Sequence, residues 1–223
     1  MAPKPYPASQ SVPDWWKNLS PYAPTASSVD GKKLELKNGI SNASAKKCVP
    51  MLDALVSGYV IPLWSDVHVT QAEHGPNVTW RVSEPVFHLH GPSSRDVPPP
   101  PGYSNVVMKF NNFWIPKTPK GYSVLITSPF GYQDIPFKAI PAIVDSDRST
   151  LEIVAPMWVS STFEGILEKG TPLLQITPFK RDEWKADFSF IEHSEYIKIE
   201  DKNFQSTIVN HYIKKVWDKK TYK

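Results

Sequence analysis

The sequence predicts a mainly β fold, a barrel or a sandwich, and three observations carry that prediction. Its 223 residues hold 23 prolines against 10 glycines, and proline is tolerated only at first helical turns, sheet edges and loops. Short runs rich in β-branched and aromatic residues recur about every ten residues between Tyr59 and Pro178, with turn residues between them. Helical periodicity is confined to one short turn before Tyr59 and to the last part of the chain. Evenly spaced short strands suit a barrel or sandwich, and the proline content argues against a helical bundle.

Taken in order, residues 1–57 read as an arm. "MAPKPYPASQSVPDWWKNLSPYAPTASSVDGKK" has polyproline character and little periodicity. Tyr6, Trp15, Trp16 and Tyr22 within it are costly to leave in water, so the arm is expected to pack on a body. "KKCVPMLDALVSG" predicts a short helical turn ending at Gly58.

Residues 58–180 then carry the strands. "YVIPLWSDVHVTQ" ends in alternation, with Trp64, Asp66 and His68 opposing Ser65, Val67 and Val69. "NVTWRVSE" and "PVFHLHG" are short strands, and "GPSSRDVPPPPGYSN" is a loop. Two strands surround "IPKTPKG", "AIPAIVDSD" and "STLEIVAPMW" form the next pair, and "FEGILEKGTPLLQITPF" closes the series. Residues 181–223 form a charged extension. Phe204, Ile208, Val209, Tyr212, Ile213, Val216 and Trp217 make an apolar stripe that predicts an amphipathic helix near 201–219.

Charge and cysteine narrow the function. A net charge of +3, concentrated only in "YIKKVWDKKTYK", lacks the clustered basic stripe of a nucleic-acid surface. No apolar run approaches the roughly 18 residues of a membrane span, and no charged segment precedes an apolar core at the N-terminus. The expectation is a soluble intracellular protein, not secreted through a signal peptide. The Asn-x-Ser/Thr triplets at Asn18, Asn42 and Asn77 are then chance occurrences. Cys48 is alone, which rules out an intrachain disulfide and a thiolate cluster, and it is expected to pack as a small hydrophobe.

Chemistry could reside in few places. In "AIPAIVDSDRSTLEIVAP", Asp145 and Asp147 lie between two strand-like runs with Arg148 beside them. They could be a carboxylate pair for acid–base work, or the corner of a hairpin, where Asp bonds its own backbone. His88 and His90 share a strand face, and His68 or His74 could complete a metal site, although such a pair beside a proline-rich loop is more often surface packing. The tryptophans could stack bases, yet most are not interleaved with Arg or Lys. No P-loop, nucleophile elbow or dinucleotide fingerprint is present.

Read continuously, "WIPKTPKGYSVLITSPFG", "AIVDSDRSTLEI" and "FEGILEKGTPLLQITPF" resemble the central part of the dUTPase and dCTP deaminase superfamily. The resemblance covers residues 113–180 and implies a dUTPase-like β-clip, or distorted jelly roll, that assembles as a homotrimer. It implies that Asp145 holds the water-orienting position, and that Ser128, Gly131, Asp147, Arg148 and Gln175 line the ligand site, with Gly170 in register. Departures from the family pattern accompany these matches. Arg148 stands where the family has a sugar-stacking aromatic, and "TSPFG" lacks the phosphate-binding arginine. The closing glycine-rich motif is replaced by a lysine-rich end. Glu152 is the candidate for the deaminase base, or else an outward-facing strand residue. Longer phrases, "KKCVPMLDALVSGYVIPLWSDV", "TPKGYSVLITSP" and "GTPLLQITPFKR", resemble a protein family encoded by tailed phages, many of them marine.

The combined expectation is a non-catalytic phage-type protein that uses a dUTPase-like core for assembly or binding, without a cofactor. It would be a virion component, or a binder of a nucleotide or host factor, in the virion or the host cytoplasm. Its partners would be further copies of itself, a trimer being favoured, and other virion or host proteins. The alternative is a divergent dUTP or dNTP pyrophosphatase that uses Asp145 with Mg²⁺. Under the non-catalytic expectation, Asp145 or Asp147 would form an exposed ion pair with Arg148 and brace the hairpin.

Overall fold

The computed structural model describes residues 2–24, 42–91, 97–208 and 212–223, with the backbone alone over 201–208. The chain divides into two compact units. The first comprises Met1–Ser11, Leu55–Asp182 and Tyr222–Lys223, and the second Val12–Ala54 and Glu183–Thr221.

The first unit is β throughout. Its strands are β1 (Tyr6–Pro7), β2 (Tyr59–Pro62), β3 (Val67–Ala72), β4 (Gly75–Trp80), β5 (Phe87–Leu89) and β6 (Tyr103–Phe110). They continue with β7 (Tyr122–Thr127), β8 (Phe137–Ala139), β9 (Ala142–Val144), β10 (Ala155–Ser160), β11 (Gly165–Leu167) and β12 (Pro172–Lys180). Among the described residues these strands form three antiparallel sheets, ordered β1-β2-β12-β7-β9, β5-β6-β10-β8 and β11-β3-β4. None of the three closes into a barrel. The mainly β expectation is therefore met at the level of class.

One core serves all three sheets. Ile61, Val124, Ile126 and Leu174 come from the first, Phe87, Phe110, Phe137 and Met157 from the second, and Val67, Val69 and Val78 from the third. Phe87 stacks on Phe137 with ring centroids 4.6 Å apart and meets Phe110 at 5.5 Å. The alternation read in the sequence is visible in β3, where Val67 and Val69 are buried and His68 is exposed. It fails just upstream, because Trp64 and Ser65 are both buried. The expected single strand there is two strands, β2 and β3, in different sheets. Pro62 ends the first, and the Leu63 N–H is turned to the Thr171 carbonyl (2.8 Å) at the sheet change.

A second correction concerns the strands around the two acids. β9 and β10 do not form a hairpin: β9 pairs with β7, whereas β10 pairs with β6 and β8. The intervening chain crosses between sheets. No two-residue turn chemistry is present between them to close a hairpin, and Val144 and Asp145 carbonyls instead accept from Ser146, Arg148 and Ser149 in a tight turn.

The second unit holds α1 (Asp14–Lys17), α2 (Val49–Leu55, whose last residue belongs to the first unit) and α3 (His193–Ile208), followed by a π-helical turn at Tyr212–Val216. Trp16 is buried, and Lys46 lies over its ring at 5.7 Å while its Nζ donates to the Trp16 carbonyl. The terminal helix begins well before the expected 201. Phe204, Ile208 and Val209 of the predicted stripe lie outside the described side chains. Trp217 is tied down by its Nε1, which donates to Asp53 Oδ2 (2.9 Å), and Lys220 Nζ reaches the same oxygen at 2.8 Å. Cys48 is exposed, contrary to the packing expected of it. No helix among the described residues is long and apolar enough to cross a membrane.

Candidate functional site

Strand register brings the acids to a cation that the sequence reading placed outside the core. β12 runs antiparallel to β7 with Lys180 opposite Tyr122, so Arg181 falls beside Gly121 and its N–H donates to the Gly121 carbonyl (2.8 Å). On the other side of β7, Val144 of β9 pairs with Val124. Continuing that register sets Asp145 next to Ser123 and Asp147 next to Gly121. The alternation of "VDSDR" does the rest: Ser146 is buried with its Oγ on Thr118 Oγ1 (2.7 Å), and both flanking acids turn toward Arg181.

The contacts are dense. Arg181 Nη1 lies 3.0 Å from Asp147 Oδ1 and 3.1 Å from Asp145 Oδ1, and Nη2 lies 2.5 Å from Asp147 Oδ2. The same Nη1 also reaches the Tyr122 carbonyl (2.9 Å) and Ser123 Oγ (2.8 Å). Asp147 thus receives a two-pronged guanidinium, the geometry that makes Arg–carboxylate pairs specific, and its Oδ2 also accepts from the Gly121 N–H (2.8 Å). Ser123 Oγ donates to Asp145 Oδ1 (2.7 Å).

Exposure separates the two acids. The Asp147 side chain is 3% exposed, Arg181 28% and Asp145 52%. The Arg181 hydrogen bonds, then the Gly121 N–H, hold the Asp147 carboxyl down at about 2. The guanidinium of Arg181 is correspondingly pushed up by Asp147. The expected ion pair of the acids with Arg148 is corrected here. Arg148 is exposed and makes no ion pair among the described residues; it acts on Asp147 only through space.

Chemically, this cluster is closed around Asp147, whereas Asp145 is half exposed. Two carboxylates face the one guanidinium of Arg181, which spends its charge mainly on the buried Asp147. Water activation needs a carboxylate lone pair aimed at solvent. Both Asp147 oxygens are engaged, and Asp145 Oδ1 is shared by Ser123 and Arg181.

The other predicted ligand residues form a separate group at the far end of β7. Ser123 and Ser128 are five positions apart, about 16 Å along a strand. Ser128 Oγ accepts from the Ala139 N–H (2.8 Å) and lines a cavity of about 230 Å³ with Tyr103, Tyr132 and Lys138. Burial pushes the Tyr103 phenol up. Gly131 sits in the adjoining turn at φ 81°. Gln175 is fully buried, its Oε1 accepting from the Phe130 N–H (2.8 Å) and its Nε2 donating to the Ser57 carbonyl (2.7 Å). Gly170 donates its N–H to the Leu63 carbonyl (2.7 Å) in the turn before β12. The structure therefore does not gather Asp145, Asp147 and Arg148 with Ser128, Gly131 and Gln175 at one place.

The remaining candidates are dispersed as well. His68 is on β3 and His88 on β5, in different sheets, and both are exposed. His90 is half-buried with Nδ1 unbonded. Among the described residues no three His, Cys, Asp or Glu side chains are placed to hold one metal ion. Glu152 is exposed. The residues that sequence reasoning missed are Arg181, Ser123 and Gly121. The pairing of "GYSVLIT" with "ITPFK" would have found them, because it alone puts position 181 beside 121. No family model, curated protein or solved structure matches the chain.

Proposed function

We propose that this chain is a non-catalytic assembly or binding protein built on a dUTPase-like β-clip core, of a phage type. The observation that carries the reading is the occupancy of the acid pair. Asp145 and Asp147 are bonded to Arg181, Ser123 and the Gly121 backbone, so they tie β12, β7 and the turn after β9 together. A brace of this kind organises the end of a sheet and leaves no cradle for a triphosphate, which needs several cations or backbone amides converging on its oxygens. The phage attribution rests on the sequence phrases quoted above. A homotrimer in the virion or host cytoplasm is the form of the role we favour, with other virion or host proteins, or a nucleotide, as further ligands.

The test is direct. Purified protein is incubated with each dNTP and Mg²⁺ and scored for pyrophosphate release, beside an Asp145→Asn control. No release above buffer is expected. Release from dUTP or another dNTP that disappears in the control would overturn the non-catalytic reading and leave the pyrophosphatase in its place.

A further inference from the structure

Residues 181–192, between β12 and α3, form no helix or strand. Their sequence, "RDEWKADFSFIE", nevertheless has the period of one. Trp184, Ala186, Phe188 and Phe190 alternate with Lys185, Asp187 and Ser189. In an extended chain the apolar set lies on one face and the polar set on the other. Yet Trp184 is 88% exposed, Phe188 91%, and Phe190 fully so. Here is a strand pattern without a sheet.

The chain also carries a sheet edge that lacks a strand. β9 pairs with β7 on one side and has no neighbour on the other among the described residues. Along it runs an apolar groove of about 350 Å³, lined by Ile126, Ala142, Val144, Leu151 and Ile153, with Glu152 its one charged residue. Unpaired backbone beside an apolar groove is a template for an extended segment: the backbone gives affinity, and the groove takes every second side chain. The segment 184–190 supplies that spacing.

We propose that residues 184–190 of one copy add as a strand to the β9 edge of a second copy, seating Trp184, Phe188 and Phe190 in its groove. This rests on the assembly reading above and names the contact that would carry it. Chain length favours a second copy over the chain's own edge. Arg181 is pinned at the end of β12 by the acid pair. The added strand would lie three strand spacings from β12, about 14 Å away. Three residues from Arg181 to Trp184 span about 10 Å, which falls short.

The experiment uses the full chain in a Cys48→Ser background. Ile143 sits on β9 between the groove-lining Ala142 and Val144, and Ser189 sits between Phe188 and Phe190, so the two become cross-strand neighbours on the outer face. Ile143→Cys and Ser189→Cys proteins are mixed under mild oxidation. A disulfide-linked heterodimer is expected from the mixture. Its absence, or a link confined to the monomer in the doubly substituted chain, would overturn the proposal. Light scattering then compares wild type with Phe188→Ser/Phe190→Ser. The mass of the variant should fall to the 25.2 kDa monomer with the β circular-dichroism signal retained. An oligomer that persists in the variant overturns the arm exchange and leaves the assembly reading standing, whereas pyrophosphate release overturns that reading alone.

Discussion

Replacing Gly58 with alanine should cost the β unit roughly 2–6 kcal/mol, combining about 1–3 kcal/mol for a left-handed backbone with about 1–3 kcal/mol for overpacking. Gly58 has φ 67°, and a Cβ built there would lie 1.9 Å from the Ile176 carbonyl oxygen and 2.9 Å from Thr177 Cα. Both obstacles are backbone of β12, held in register by Tyr59 opposite Ile176 on one side and Ile126 opposite Ile176 on the other. A side chain could rotate aside, but a central strand cannot. The Gly58 carbonyl also accepts from the Ala8 N–H (3.0 Å), so displacement would loosen the β1 end of the sheet too. Urea denaturation followed by tryptophan fluorescence measures the loss. A change under about 0.5 kcal/mol, the ordinary range for a neutral surface site, would mean that the approach of residue 58 to β12 is not as described.

Gln175→Leu is expected to have the second largest effect, roughly 2–5 kcal/mol. The side chain is 1% exposed and links three segments: its own strand, the Phe130 N–H in the turn after β7, and the Ser57 carbonyl ahead of β2. Leucine keeps most of the volume, so little of the cost comes from a cavity. Two part-buried hydrogen bonds from the side chain are lost, and a group left unsatisfied in such a place costs up to about 1–3 kcal/mol. Gln175→Glu gives a useful contrast, since it keeps the acceptor for Phe130 and turns the other oxygen toward the Ser57 carbonyl. It should be at least as destabilising at neutral pH and should recover as the carboxyl is protonated. The same denaturation curves check both variants; equal stability of wild type and Gln175→Leu would remove the clamp.

The sequence conveyed local features well and long-range partners poorly, for identifiable reasons. β3, β4, β6, β7 and β12 were legible because alternation and β-branched content are local. The same signals say nothing about which strand pairs with which. "AIPAIVDSD" and "STLEIVAPMW" look like a hairpin because they are adjacent and short, yet β9 and β10 belong to different sheets. The two acids are conspicuous in the sequence, while the partner the structure gives them is not. Arg148 is next to them in sequence; Arg181 lies 34 residues beyond Asp147 and arrives only through the β7–β12 register. β12 ends at Lys180, and Arg181, the first residue after it, reaches the acids from what the sequence presents as a charged extension. Gln175 and Ser128 were named only through the resemblance, and their structural bonds depend on neighbours 118 and 11 residues away.

The central claim is that the acid pair holds the sheet end together, and Asp147 tests it most directly through pH. Its carboxyl is held at about 2 against an ordinary value of 3.8, mainly by the Arg181 hydrogen bonds. A depressed folded-state value stabilises the fold when the group is ionised. The contribution is therefore complete above the ordinary value of 3.8 and is lost as pH falls through about 2. Urea midpoints measured from neutral pH down to about 2 on wild type and Asp147→Asn should show two things. The variant should be less stable than wild type at neutral pH, and the gap should narrow as pH falls below 3.8, because protonated Asp147 and Asn no longer differ in charge. Catalytic groups behave in the opposite way, since removing one often leaves stability unchanged or raises it. An Asp147→Asn protein as stable as wild type at neutral pH, with the same acid limb, would contradict the account.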